Sequence, residues 1–127
     1  MRLAIDSNRY GDYCSGDASV VEVIRSTEEI FIPLIVVAEL RAGFAHGTRR
    51  EHNENILVRF MNSKRVRVVA PDEQTTHFYA QVYADLRRKG RPIPTNDIWI
   101  AAIAMQHDLV LYDRDRHFDQ IPQLVRL

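Results

Sequence analysis

The chain has one cysteine, five glycines and five prolines in 127 residues. Cys14 alone permits neither an internal disulfide nor a thiolate zinc site. No glycine-rich phosphate loop is present, which argues against a nucleotide-driven motor or switch. Charge of either sign is not in excess: Lys plus Arg and Asp plus Glu each total 17. A general electrostatic hold on nucleic acid is therefore not expected, and any attraction for phosphate must be local. The longest uncharged apolar run, Ile30 to Ala38, is far short of the ~20 residues a membrane span needs. Met1 to Ile5 leave no room for a signal-peptide core before Asp6, so the expected location is the cytoplasm. The five histidines, His46, His52, His77, His107 and His117, show no metal-ligand spacing and read as surface or packing residues.

Hydrophobic residues make up 46% of the chain, a proportion that supports a packed core. The length fits one domain, taken as residues 1–127, without repeat or linker. Leu3-Ala4-Ile5 stops abruptly at Asp6, as a buried parallel strand would. Residues 7–17 are turn-rich, and Asp17 is placed to cap a helix carrying Val20, Val21, Val23 and Ile24. Ile30-Phe31-Ile32 predicts a second strand. Pro33 then opens a helix over 34–45, with a further helix over 49–61. Val66 to Val69 predicts a third strand, and Asp72 begins an amphipathic helix with Phe78, Val82 and Leu86 on one face. After the stiff Arg91-Pro92-Ile93-Pro94, Thr95 is placed to cap an apolar helix over 98–105. Leu109 to Tyr112 predicts a fourth strand, and Leu124 to Leu127 a fifth at the edge. Strands alternating with helices give an α/β domain, an α/β/α sandwich on a mostly parallel four- or five-stranded sheet. Such folds bind ligands beyond the carboxyl ends of the strands, near a topological switch point.

Acids collect at those positions. Asp6 follows the first strand, Asp113 and Asp115 follow the fourth, and Asp97 lies near the start of the most apolar helix. Glu39 interrupts an otherwise apolar segment. A carboxylate held away from water is costly unless a cation attends it. Neither Lys nor Arg shares the face of Glu39 one turn away, and Arg41 points elsewhere. A hard divalent ion shared by oxygens from distant segments meets the need. Singly, each acid has a plainer explanation: a turn-forming Asp6, a dipole-matched Asp97, a Glu39 paired to a distant Arg, a solvated Asp113. Their coincidence at one rim favours the joint reading.

Ile5-Asp6-Ser7-Asn8, Ala38-Glu39-Leu40-Arg41-Ala42-Gly43, Pro94-Thr95-Asn96-Asp97-Ile98-Trp99 and Asp113-Arg114-Asp115-Arg116-His117-Phe118 with Ile121-Pro122 resemble, in order, the motifs of the PIN-domain family. The likeness is to its VapC toxins of toxin–antitoxin pairs. The resemblance implies an endoribonuclease dependent on Mg2+ or Mn2+, usually a homodimer, with a small VapB-like antitoxin whose tail covers the site. By matching motif, the metal-binding acids are Asp6, Glu39, Asp97 and Asp115, and Asp113 stands as a further candidate ligand where the family often has Thr or Ser. Ser7 stands where Thr is usual, and Pro33 where a small hydroxyl residue is common. Ser7, Asn8, Arg114 and Arg116 are candidates to orient ligands or grip RNA, and Tyr10 or Trp99 to stack a base, with packing in the core the plainer reading of Trp99. A metal held by these acids would polarise a phosphate and acidify a water.

Other classes compete. A phosphotransfer receiver needs an acceptor Asp on a central strand and a Lys nearby, which Val66 to Ala70 do not offer. A dehalogenase-type phosphatase needs a second Asp where this chain has Asn8. A non-catalytic interaction module binding a basic peptide or partner protein would tolerate loss of an acid, and none is lost.

Overall fold

The computed structural model describes all 127 residues. Four strands, β1 (Arg2–Ile5), β2 (Glu29–Pro33), β3 (Val66–Val69) and β4 (Val110–Tyr112), form one sheet in the order β3-β2-β1-β4. All three pairings are parallel. Six helices connect and cover them: α1 (Ser7–Cys14), α2 (Ala18–Ser26), α3 (Leu34–His46), α4 (Arg50–Met61), α5 (Glu73–Lys89) and α6 (Thr95–Gln106). A short 3-10 helix, η1 (Arg116–Gln120), follows β4. Leu3, Ala4 and Ile5 are all buried, as are Ile30 to Ile32. Successive strand side chains point to opposite faces, so both faces of the central strands are covered, as an α/β/α sandwich requires.

The strand order explains where a ligand would sit. From β1 the chain moves outward to β2 and β3, then returns across to pair β4 with the other side of β1. The connections diverge between β1 and β4, so the carboxyl ends of these two strands flank the crevice. The Asp6 N–H donates to the Tyr112 carbonyl at 3.1 Å and stitches the two ends together.

The two helix starts expected at Asp17 and Asp72 hold. Asp17 caps α2 by accepting from the N–H groups of Ser19 and Val20. Asp72 caps α5 with Thr75 in a reciprocal capping box. The left-handed residue after α5 is Gly90, at φ 65°, where no Cβ opposes the conformation.

Three expectations need correction. Residues 7–14, read as turn, are helical: Tyr10 is buried edge-on against Phe60 at 5.2 Å, and this packing outweighs the poor helix propensity of Ser7, Asn8 and Gly11. Thr95 is the first helical residue rather than the cap, and Pro94 occupies the cap position. The fifth strand shrinks to one parallel bridge, Leu111 to Arg126, because the tail from Leu124 turns to lay Arg126 over the loop after β4.

Candidate metal centre

Asp6 ends β1 and stands at the cap position of α1, yet its side chain caps nothing. It is buried. Burial chiefly raises its carboxyl, against the lowering effect of the Ser7 N–H, and the charges of Glu39, Asp97 and Asp113 raise it further, to about 7. Charges from three distant segments thus act on one carboxylate.

Glu39 reaches the same place from α3. The Ser7 hydroxyl donates to Oε1 at 3.3 Å and the Asn96 amide to Oε2 at 3.5 Å. These donors adjoin Asp6 and Asp97 in the chain, so Glu39 is held between them. Its carboxyl is raised, first by burial, and also by Asp97 and Asp115. The apolar segment that Glu39 interrupts is only partly buried: Leu34 and Ala38 are exposed and Glu39 is half-buried at the rim, so its separation from water is less complete than expected. Arg41 is indeed elsewhere, bound through two nitrogens to Glu54 at 2.9 Å each.

Asp97 is in the first turn of α6, where a carboxylate suits the positive end of the helix. Below it Ile98, Ile100 and Ile103 are buried. Each stabilises the fold by about 1.5–3 kcal/mol, which makes α6 a firm platform. The Asp97 carboxyl is raised by burial, against a lowering bond from His117, with Asp115 raising it further. Asp115 is half-buried at the start of η1, where it accepts from the His117 N–H at 2.9 Å.

Sequence reasoning missed the role of His117 in this cluster. Its Nδ1 lies 2.8 Å from Asp97 Oδ2 and 3.2 Å from Asp115 Oδ1. Donor atoms of Asp97, Asp115 and His117 all fall within 4.8 Å of one another. The sequence signal was its place inside the fourth motif, two residues after Asp115.

Asp113 has a different setting. Its side chain is fully buried, and Arg126 clamps it, Nε donating to Oδ2 at 3.0 Å and Nη2 to Oδ1 at 2.7 Å. Oδ1 also accepts from the Asp115 N–H at 3.0 Å. Arg126 further donates to the Asp115 carbonyl at 3.1 Å and to Asp119 at 2.6 Å. The loop carrying Asp115 and His117 is thereby fastened to the chain terminus. Arg126, too, was not singled out from sequence.

The candidate grips divide. Arg114 is held by Asp12 of α1 through bonds of 2.8 and 3.1 Å. Arg116 is exposed and shares with Arg91 and His117 the wall of an open pocket of roughly 370 Å³ beside the acids. Asn8 is exposed. Tyr10 is in the core and has no free face for a base, which corrects that expectation. Trp99 packs on Tyr79 with ring centroids 4.3 Å apart, joining α6 to α5.

The donor set fits a divalent metal. The four carboxylates of Asp6, Glu39, Asp97 and Asp115, all buried or half-buried, repel one another, while Arg9, Arg41 and Arg114 are paired with other acids and Arg116 is exposed. Oxygen ligands from separate segments are what a hard divalent ion requires.

This topology and acid set define a class. The PIN domain family model matches residues 15–124, and the chain belongs to that family. The match begins after Asp6, whose place rests on the geometry above. Within the family the chain is of the VapC type. It is 31% identical to Ribonuclease VapC1 of Haemophilus influenzae over 84% of this chain and 79% of that protein. It is 28% identical to Ribonuclease VapC2 of Rickettsia felis over 83% of this chain and 78% of that one. Among solved structures, VapBC-1 from nontypeable Haemophilus influenzae superposes with a TM-score of 0.87 at 25% identity, covering 100% of this chain and 97% of that one. DNA-bound VapBC from Salmonella typhimurium does so at 0.89 and 25%, with coverage of 100% and 97%.

Proposed function

We propose that the protein is a divalent-metal-dependent endoribonuclease, the toxin of a VapBC-type pair. The carrying observation is the convergence of Asp6, Glu39, Asp97 and Asp115 at the β1/β4 crevice, in a chain similar to proteins named as ribonucleases. The same acids weigh against a non-catalytic module, which has no use for buried carboxylates that repel one another.

Asp6, Glu39, Asp97 and Asp115 would hold Mg2+ or Mn2+. When bound, such an ion polarises a phosphoryl oxygen and lowers the pKa of a water. Ser7 and Asn96 orient Glu39 by their hydrogen bonds, so its oxygens face the crevice. Asp113 positions rather than ligates: both its oxygens are occupied by Arg126, and it holds the Asp115 backbone. Arg116 and Arg91, at the pocket wall, are assigned to the RNA phosphates in place of Arg114. Asn8, exposed one turn from the acids, is left to touch substrate.

A VapB-like antitoxin is the proposed partner, since the similar solved structures are VapBC complexes. A cytoplasmic homodimer follows the resemblance, and light scattering on the purified chain tests the dimer. No helix is long and apolar enough to cross a membrane.

The direct test incubates antitoxin-free protein with structured RNAs, with magnesium, manganese or chelator. Cutting that needs metal and disappears in Asp97→Asn is the expected result. RNA left intact under every metal condition overturns the reading.

A further inference from the structure

We propose that His117 contributes an imidazole nitrogen to the metal centre, making it a mixed oxygen–nitrogen site that prefers a first-row transition ion to Mg2+. The inference rests on the metal-site reading above and adds a ligand to it.

The argument is geometric. Ligands adjacent on an octahedral ion with bonds of about 2.1 Å lie about 3.0 Å apart, and opposite ligands about 4.2 Å. His117 Nδ1 lies 2.8 Å from Asp97 Oδ2 and 3.2 Å from Asp115 Oδ1, and the three donor atoms stay within 4.8 Å of one another. The 2.8 and 3.2 Å separations match those of adjacent ligands around one ion.

The imidazole is also held in place. The His117 backbone N–H donates to Asp115 Oδ1 at 2.9 Å, which fixes the residue that carries the ring. The next residue, Phe118, is fully buried and anchors η1, while Arg126 ties Asp119 down one residue further. The ring is half exposed, so a hydrated ion has a path to it. A neutral imidazole carries one free lone pair. Without metal, Nδ1 donates its hydrogen to the Asp97 carboxylate; a bound ion would take the place of that hydrogen and leave the ring proton on Nε2.

The choice of ion follows from donor type. Carboxylates and water suit Mg2+, whereas an imidazole nitrogen favours the transition series. The remaining acids, Asp6 and Glu39, complete an oxygen-rich side, so the nitrogen tunes preference rather than creating the site.

The test uses full-length, antitoxin-free protein stripped with chelator and loaded with one equivalent of Mn2+. Pulsed electron paramagnetic resonance reads nitrogen coupled to the manganese, and calorimetry compares Mn2+ with Mg2+. Nitrogen coupling is expected in the wild type and absent in His117→Gln. That variant should bind Mn2+ about 10- to 100-fold more weakly, with a smaller loss for Mg2+. If Mn2+ binds and Asp97→Asn abolishes binding, yet no nitrogen couples, His117 is only a hydrogen-bond partner of Asp97 and the proposal falls while the metal site stands. If Mn2+ does not bind, or binds regardless of Asp97→Asn, the metal-site reading fails and takes the proposal with it.

Discussion

Replacing Arg126 with alanine should destabilise the protein and loosen the loop that carries Asp115, although Arg126 is the penultimate residue. The substitution strips both guanidinium bonds from an Asp113 side chain with no solvent exposure. Breaking a buried ion pair from one side costs about 3–5 kcal/mol, because the remaining charge is left without a partner. Arg126 itself keeps 27% of its side-chain surface, so water can enter once it is cut back, and about 2–4 kcal/mol is the appropriate range. For a chain of this size that corresponds to a fall in Tm of roughly 10 °C. Urea unfolding with an unchanged m-value would isolate the stability change. Adding Asp113→Asn should recover part of the loss, with a coupling of about 1–3 kcal/mol between the two positions. A cost below about 1 kcal/mol, or strictly additive effects, would refute the assignment of Asp113 to structure and return it to the list of metal ligands.

Three further outcomes are expected. In chelator, Asp6→Asn should raise Tm while abolishing metal-dependent cutting, because it removes one of several buried like charges; a lowered Tm would show that these acids do not repel one another. Arg116→Ala should raise KM for RNA with kcat little changed, whereas Arg114→Ala should act mainly on stability through the loss of Asp12; equal effects on KM would contradict the division. The Asp72 carboxyl lies below its ordinary value of 3.8, chiefly through Gln106 and then through the Thr75 N–H. Because the folded pKa is the lower one, this contribution is complete above 3.8 and is lost as pH falls through the folded value. The Tm difference between wild type and Asp72→Ala should therefore narrow from pH 7 to pH 3, and a constant difference would rule out the cap as its source.

Much of the architecture was legible because its causes are local. Short apolar runs that end at Asp6 and beyond Tyr112 read as parallel strands, and the caps at Asp17 and Asp72 mark helix starts by bonds spanning two or three residues. Helix α1 was not legible, since its stability comes from Tyr10 packing on Phe60, fifty residues away in the chain. Five acids, Asp6, Glu39, Asp97, Asp113 and Asp115, stood out as charges at strand ends, at a helix start or within an apolar segment. Arg126 did not, because its partner Asp113 is distant in the chain, and His117 did not, because Asp97 is distant and the neighbouring Asp115 was read only for its carboxylate.

Sequence alone determined the alternation of strands and helices and the supply of acids, since periodicity, capping and charge cost act along the chain. Tertiary structure decided what each acid does. Asp113 and Asp115 are two residues apart with the same carboxylate, yet one is neutralised by Arg126 and the other faces Asp97 and His117. That difference is set by what the fold brings opposite each oxygen, because the energy of a charge out of water depends on its nearest counter-charge and on little else nearby in sequence.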